Sequence, residues 1–487
     1  MIRRPRRRGL LSESRRACNL PEDSADIRIR VNRSGAKIQA APLIHRVIAL
    51  VLVTLCLASC RDSLDPQEVR ICRQTLPAVT LDADELTVTA VAPASPPFKM
   101  RIDYRALLHG RTSNHTVLCA FGGSLQADRF IGLSALVADG RLFPAWKLHL
   151  LKRYWLERTE AVLADPGPGE TLAGVPEVPR SVAFLVQSLG NGVPTTAMTM
   201  LIAVAYALVF GLVQRINLAF GDFATLGGVM SVSIMLVLLA LGSRSPALDL
   251  VVVFIAAVGL VVLAGHMVEK LVFAPLAFRR GQTILIATVA VASVMREAMR
   301  VAQGPNDRWA PPITSPYLPV VRSGNFVAHI TVMQMSIGAA AAIVAIAVVM
   351  LMRRSELGRR WRAISDDALM ANLLGISSRG MLALTFGLAS ALAGFAGFIM
   401  TVYYGGADAY GGAMIGLKGL VAAVIGGIGS IEGALLGGLV LGLFEVVWQA
   451  YFPIEHRDVA VMTFLVLMLI FRPGGLFGFA DATPRQV

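Results

Sequence analysis

Dense apolar runs recurring between residues 193 and 472 restrict this chain more than any other feature. They lie at approximately 193–213, 218–241, 247–268, 283–301, 328–352, 381–403, 414–427, 433–451 and 458–472. Such runs are too long and too uniformly apolar for amphipathic surface helices. A bilayer core asks for about 20 apolar residues per helix, and backbone groups in lipid must be satisfied within their own segment. Several runs fall short of that length and are expected to be tilted, broken or re-entrant. Composition agrees, with 55% of the 487 residues hydrophobic and 16% charged, against about 25% charged in an ordinary soluble domain. The expected fold is an all-α polytopic membrane protein of about 8–9 transmembrane or re-entrant helices, with a small N-terminal β-rich extracytoplasmic domain.

The net charge of +13 is uneven: residues 1–46 hold twelve Lys or Arg against four acids. Lying before an apolar run, this basic arm reads as a cytoplasmic topogenic signal. No aromatic residue interleaves with its arginines, so nucleic-acid stacking is not expected. Residues 47–60 form a run of 14 that suits the core of a secretory signal. Its end, Leu57-Ala58-Ser59-Cys60, resembles a lipoprotein box in which Cys60 is lipidated. An uncleaved signal anchor is the alternative, as is a mis-started leader with initiation near Val31. Each version sends the next segment outside.

Residues 61–180 differ in pattern. Alternation at 85–91, 98–104 and 116–121 predicts half-buried strands, and a helical piece is expected over 147–164. Cys72 and Cys119 are candidates for a disulfide in an oxidising compartment, against two buried thiols. No catalytic triad, metal spacing or nucleotide motif is legible there, and His109 and His115 lack a third ligand nearby. A linker opens at Asp165 and runs to Pro179.

With 61–180 outside, the short loops on the cytoplasmic side carry twelve Lys or Arg and those outside carry five, as the positive-inside rule requires. The longest inner loop, 353–380, contains Asp366-Asp367 followed by Ala368, Leu369, Ala371, Leu373, Leu374 and Gly375. Acids at a helix start and Gly at its end predict a short amphipathic helix, a suitable knob for a partner's groove. Gly426, Gly427, Gly429 and Gly433 lie between two apolar runs and are candidates for close helix packing. Polar residues inside the runs are costly and therefore suggestive. The pathway candidates are Asn217, Asp222, Gln334, Lys418 and Glu445, with Gln449 beside them; Asp222 and Lys418 are a candidate pair for the two charges of an amino acid. Lys418 also stands where it can snorkel. Arg296 and Glu297 are adjacent and need not pair with each other. No Walker A motif occurs, so nucleotide chemistry needs another subunit.

Several of these stretches together are specific. Leu357-Gly358-Arg359-Arg360-Trp361-Arg362-Ala363, Asp366-Asp367 and Ala371-Asn372-Leu373-Leu374-Gly375-Ile376 resemble the coupling loop of branched-chain amino acid ABC transporter permeases. The glycine stretch 416–434, the segment Ile216-Asn217-Leu218-Ala219-Phe220-Gly221-Asp222 and the terminal Arg472-Pro473-Gly474-Gly475-Leu476-Phe477-Gly478 resemble the same family, in its LivH-like form. The resemblance covers roughly 185–480. It implies a non-enzymatic permease subunit of the bacterial inner membrane, with 61–180 periplasmic. It also implies two ATP-binding subunits carrying ATP and Mg, a second LivM-like permease and a periplasmic substrate-binding protein. Gly358, Arg359, Arg362, Asp366, Asp367, Ala371, Leu374 and Gly375 would form the ATPase-coupling loop. Urea or short amides are the alternative cargo, and an ATPase-independent carrier or channel the alternative class. Two positions depart from the family: Phe220 stands where His is usual, and Asp222 where Glu is frequent.

Overall fold

The computed structural model describes residues 66–477 apart from 81–82, 84, 109–110, 122–131, 157–160, 162–163, 167–174, 243–245, 277–282, 305–307, 311–316, 325 and 428, with Leu50 and Leu64 beside them. The basic arm, the rest of the 47–60 run and Cys60 lie outside the described residues.

The N-terminal region opens with helices α1 (Pro66–Gln74) and α2 (Leu76–Val79). Strands β1 (Glu85–Pro93), β2 (Met100–Leu108), β3 (Arg111–Phe121), β4 (Leu133–Ala138) and β5 (Arg141–Leu142) follow as an antiparallel meander in that order. Helix α3 (Ala145–Leu151) runs on through a π-helical turn, Lys152–Leu156. Met100, Ile102, Tyr104 and Ala106 are buried at every second position of β2, the period of a half-buried strand. They pack with Cys72, Leu76, Leu148 and Leu151 from the helices. Cys72 and Cys119 form a disulfide joining α1 to β3, with Cα atoms 6.2 Å apart. The strands extend beyond the expected 85–91, 98–104 and 116–121. Residues 98–99 instead sit ahead of β2, because the turn at 94–99 closes through Ala94 N donating to Lys99 O at 3.1 Å. The helix expected over 147–164 starts earlier, at Ala145, and leaves α-geometry at Lys152.

Each of the nine apolar runs forms a helix. These are α4 (Arg180–Val213), α5 (Phe220–Ala240), α6 (Pro246–Val268, carried on by Glu269–Phe273 and Ala274–Leu276) and α7 (Thr283–Gln303). They continue with α8 (Val332–Arg354), α11 (Ser378–Tyr404), α12 (Gly412–Gly426), α13 (Ile431–Tyr451) and α14 (Arg457–Phe471). Between α8 and α11 lie α9 (Glu356–Asp366) and α10 (Ala368–Leu373). Among the described residues, six helices are long and apolar enough to cross a membrane: α4, α5, Leu248–Leu276, α8, α11 and α13. Helices α12 and α14 have 15 residues each, about 22 Å at 1.5 Å per residue. Two expected boundaries are corrected. The run from 328 enters as a hairpin of β7 (Tyr317–Ser323) and β8 (Phe326–Thr331), and the helix begins at Val332. Thr331 and Gln334 form a capping box there, which satisfies first-turn donors and sets the start. The first run begins at Arg180 rather than 193, and Pro194 lies inside it.

The helices cross where both backbones carry small residues. A Cβ on Gly397 of α11 would overlap the carbonyl of Ala224 and the amide of Gly228 on α5. Gly221 of α5 meets Gly412 and Gly416 of α12, Gly426 meets Gly433, and Gly438 and Gly442 of α13 meet Met200 and Thr196 of α4. Without a hydrophobic drive between helices in lipid, such close approach is a main source of association. Of the four glycines singled out in sequence, Gly426 and Gly433 make this contact. Gly427 and Gly429 instead supply positive φ values of 112° and 91° to the turn between α12 and α13. Two ends of the bundle are defined by contact. At one, Trp361 reaches Leu208, Arg353 lies 3.3 Å from Glu432, and Leu476 N donates to Ile425 O at 2.8 Å. At the other, His329 N in the β7–β8 hairpin donates to Gln187 at 2.8 Å, and Phe184 packs on Tyr451.

Gly397→Val should therefore lower stability by about 1–3 kcal/mol, since backbone cannot yield to the added atoms. Gly259→Val, whose Cβ site is open, should leave the melting temperature in detergent unchanged; thermal unfolding of both variants checks this.

Candidate functional site

Two groups of paired charges lie inside the bundle. Asp222, in the first turn of α5, is fully buried. Its carboxylate accepts from Arg296 Nε at 2.7 Å and from the same guanidinium's other nitrogen at 3.4 Å. A helix N-terminus favours an acid, but a carboxylate out of water also needs a counter-charge, and α7 supplies it. Behind Asp222, Phe220 packs against Tyr206, Phe223 and Phe386 with centroids 5.5–6.0 Å apart. Phe220 is thus a packing residue in an aromatic cluster. The Tyr206 hydroxyl is buried with no hydrogen-bond partner among the described residues, beside Gly416.

The second group joins three helices. Lys418 Nζ lies 2.8 Å from Glu445 and 3.0 Å from Asp458, which Arg457 also approaches at 3.3 Å. Asp222 and Lys418, the candidates for the two charges of an amino acid, are each paired within the protein, with Arg296 on α7 and with Glu445 and Asp458 on α13 and α14. Lys418 does not snorkel, because two carboxylates hold it where its side chain is 14% exposed. Arg296 and Glu297 do not pair with each other; Glu297 bonds Arg300 at 2.7 Å, one turn on. Gln334 serves the capping box and also donates to Asn191 and Tyr403, each at 3.1 Å, linking α8, α4 and α11. Asn217 accepts from Ala219 N at 3.0 Å in the buried turn before α5. Gln449 is exposed. The pathway candidates thus do not converge on one chamber. Two cavities, one lined by Ser231, Leu250 and Thr401 and one by Tyr206, Phe210 and Ile216, have about 20 Å³ each, room for a water and nothing larger. Arg296 and Tyr206 escaped the sequence reading of site residues; an arginine within an apolar run was the available signal for the first.

The segment 355–377 is rigidly built. Ser355 caps α9 through Gly358 N. One face of α9 buries Gly358, Trp361 and Ile364 while Glu356, Arg359 and Arg360 stay exposed. The Trp361 ring lies over Gly211 of α4, where a Cβ would collide with it, and its Nε1 donates to Leu208 O at 3.1 Å. Arg362 donates to Met352 O at 2.6 Å. Asp367 caps α10 through Leu369 N and Met370 N at 2.8 and 3.0 Å, whereas Asp366 ends α9 rather than capping α10. The short helix expected after Asp366-Asp367 is α10, and α9, started separately by the Ser355 cap, precedes it. Ala371 is buried, and Gly375 at φ +83° ends α10 in the left-handed conformation glycine favours. Asn372 ties α10 to Ser378 at 2.9 Å. Leu369, Met370, Leu373 and Leu374 remain between 56% and 81% exposed.

In the N-terminal sheet, where sequence showed no triad, the fold aligns Ser113, His115 and Asp139. Ser113 Oγ is 2.8 Å from His115 Nε2, and His115 Nδ1 is 2.6 Å from Asp139 Oδ2. Ser113 and His115 share a face of β3 by their two-residue spacing, and Asp139 sits with Gly140 in the β4–β5 turn at φ 46° and 78°, a combination that two-residue hairpins favour. The group nearest Ser113 across the sheet is the Ala106 carbonyl, an acceptor at 3.5 Å. An oxyanion needs donors there; among the described residues the line of bonds from Ser113 through His115 to Asp139 braces the turn. Burial opposes ionisation of Asp139, but Thr116 N–H and His115 outweigh it and hold the carboxyl below the usual range.

A bundle of membrane-spanning helices with internal ion pairs and a capped, apolar knob at one end defines a multi-pass transport subunit. The model of the family described as "Branched-chain amino acid transport system / permease component" matches residues 188–471, and the chain belongs to that family. It is 33% identical over 295 residues to the high-affinity branched-chain amino acid transport system permease protein LivH of Escherichia coli, covering 61% of this chain and 96% of the relative. It is 32% identical over 301 residues to the corresponding protein BraD of Pseudomonas aeruginosa, covering 60% and 95%. A shorter match, 30% over 125 residues, covers 25% of this chain and 29% of E. coli LivM. No solved structure matches the chain.

Lys418→Ala strands the buried Glu445 carboxylate and should cost about 3–5 kcal/mol, much of it recovered when Lys418→Met is combined with Glu445→Leu; melting in detergent reads both. A depressed Asp139 pKa contributes stability above the unfolded carboxylate value that is lost as pH falls through the folded one. Proteolysis of the β4–β5 turn should thus be faster in Asp139→Asn than in wild type at pH 7, with the difference shrinking as pH falls below the ordinary carboxylate range.

Proposed function

We propose that this chain is the permease subunit of an ATP-driven importer that carries branched-chain or related amino acids across a bacterial inner membrane. On this reading the Trp361 end is cytoplasmic and residues 61–180 are periplasmic. Two ATP-binding subunits carrying ATP and Mg, a LivM-like second permease and a periplasmic substrate-binding protein complete the machine. The names of the relatives support the cargo, and the twelve-to-five loop charge bias supports the orientation.

The observation that carries the reading is the knob at α10. Four large apolar side chains stand exposed on a short helix whose own backbone is capped and tied at both ends. A contiguous apolar patch on a rigid element is a protein-docking surface. Behind it, Trp361 is wedged on α4, and α4 packs against α13, α11 and α12. When ATP closes the two partner subunits, displacement of α10 travels through α9 and Trp361 into α4 and tips the bundle between inward-open and outward-open forms. The coupling requires that the partner's two states hold α10 with different affinity.

Leu373→Glu combined with Leu374→Glu should abolish capture of the ATPase subunits and reduce ATP-driven leucine uptake in vesicles by at least about tenfold, a loss of about 1.4 kcal/mol or more, with membrane insertion unchanged. Uptake that persists in this variant identifies an ATPase-independent carrier.

A further inference from the structure

Helix α7 differs from its neighbours. It has 21 residues, yet Arg296, Glu297 and Arg300 interrupt its apolar sequence. Its first half exposes Leu285, Ile286 and Val289, a surface suited to lipid. Its second half exposes Ser293, Glu297 and Arg300, which at intervals of four and three residues form one stripe, with the apolar stripe Val294, Ala298 and Val301 beside it. The side chains of Glu297 and Arg300 are 57% and 43% exposed although paired with each other at 2.7 Å.

Contacts set the depth of that stripe. Gln303, three residues beyond Arg300, donates to Ser233 of α5 at 2.7 Å. From Ser233, α5 continues to Ala240, about 10 Å further outward at 1.5 Å per residue. On the opposite side, α11 ends at Tyr404, and Tyr403 meets Asn191 of α4. Helix α4 reaches back from there to Arg180, about 16 Å further outward. The strands β6 (Arg308–Trp309) and β9 (Gly406–Ala407) pair at this sunken level, Ala407 against Gly228, and α12 starts beside Asp222. The ends of α7 and α11 and the start of α12 therefore lie deeper than the ends of α4 and α5, and the β7–β8 hairpin packs on α4 at this end. Non-helical backbone at membrane depth is tolerated where it is buried or lines water, and exposed charges facing lipid are costly.

We infer that the Ser293–Glu297–Arg300 stripe of α7 lines a water-filled translocation path, where the Glu297–Arg300 pair receives the ammonium and carboxylate groups of a zwitterionic amino acid. The water path follows from depth and exposure; the identity of the solute rests on the importer reading above. Both groups point to this use. An exposed ion pair is held weakly, so exchanging it for an ammonium on Glu297 and a carboxylate on Arg300 loses little and satisfies both ends of the solute. The planar guanidinium is the side chain best shaped for a carboxylate. The Arg296–Asp222 pair lies on the bundle side of the same helix and fixes α7 behind the stripe.

The test uses the full-length protein in membrane fragments open on both sides, so that it does not depend on orientation. Ser293→Cys and Glu297→Cys are compared with Leu263→Cys, an exposed apolar position of α6, using a charged, water-soluble methanethiosulfonate reagent. Labelling of Ser293→Cys and Glu297→Cys at least tenfold faster than Leu263→Cys supports the path. Equal, slow labelling of all three, with reaction seen only for a lipid-soluble maleimide, overturns it. Leucine should slow labelling of Ser293→Cys at least threefold where mannitol does not. Failure of every transported amino acid to protect overturns the binding role. Failure of the importer reading is distinct: it shows as absent ATP-driven uptake by the wild-type complex, whatever the labelling.

Discussion

Backbone contact between helices at glycine is the constraint on which the rest depends. Lipid gives apolar helices no reason to prefer each other over the solvent, so their association draws on close packing. Along α5, Gly221, Gly227 and Gly228 allow α12 and α11 to approach to the distance of main-chain atoms. That approach places Asp222 within reach of Arg296, and the same geometry between α12 and α13 places Lys418 beside Glu445. The ion pairs are thus consequences of the crossings. Each is costly to form in a dry interior and costly to break by removing one partner, which makes them better markers of helix register than sources of stability.

The bundle has different characters at its two ends. At one, α9 and α10 are fastened by Ser355, Asp367 and Asn372 and present four apolar side chains outward. At the other, α7 and α11 end deeper than α4 and α5, and charged residues remain exposed. On the proposed importer reading, the capped helix pair would be the part that is pushed and the far end the part that admits water. Trp361 is the link between the pushed element and α4, the helix that touches most of the others.

How much of this was legible in the sequence depended on range. Each of the nine apolar runs fell on a helix, since that signal is local. The short helix after Asp366-Asp367 was legible because an acid cap and a stopping glycine are local signals, and the side chain of Asp367 proves to be the cap. Helix α9 ahead of it was not legible, since its Ser355 cap and the buried face of Trp361 depend on α4. The β7–β8 hairpin was hidden because Phe326–Thr331 is nearly as apolar as the helix it precedes, and the Thr331 cap marks the boundary only once the turn is known. The partners of Asp222 and Lys418 are 74 and 27 residues away in sequence, and no periodicity carries that information. The alignment of Ser113, His115 and Asp139 likewise required the β3–β4 pairing.

The central claim is that Trp361 transmits partner movement into the bundle. It is tested most directly by Trp361→Ala in nanodiscs holding the complete transporter, measuring both retention of the ATPase subunits and leucine-stimulated ATP turnover. Retained subunits with turnover no longer responsive to leucine are the predicted result. Unchanged stimulation with the tryptophan removed would contradict the account.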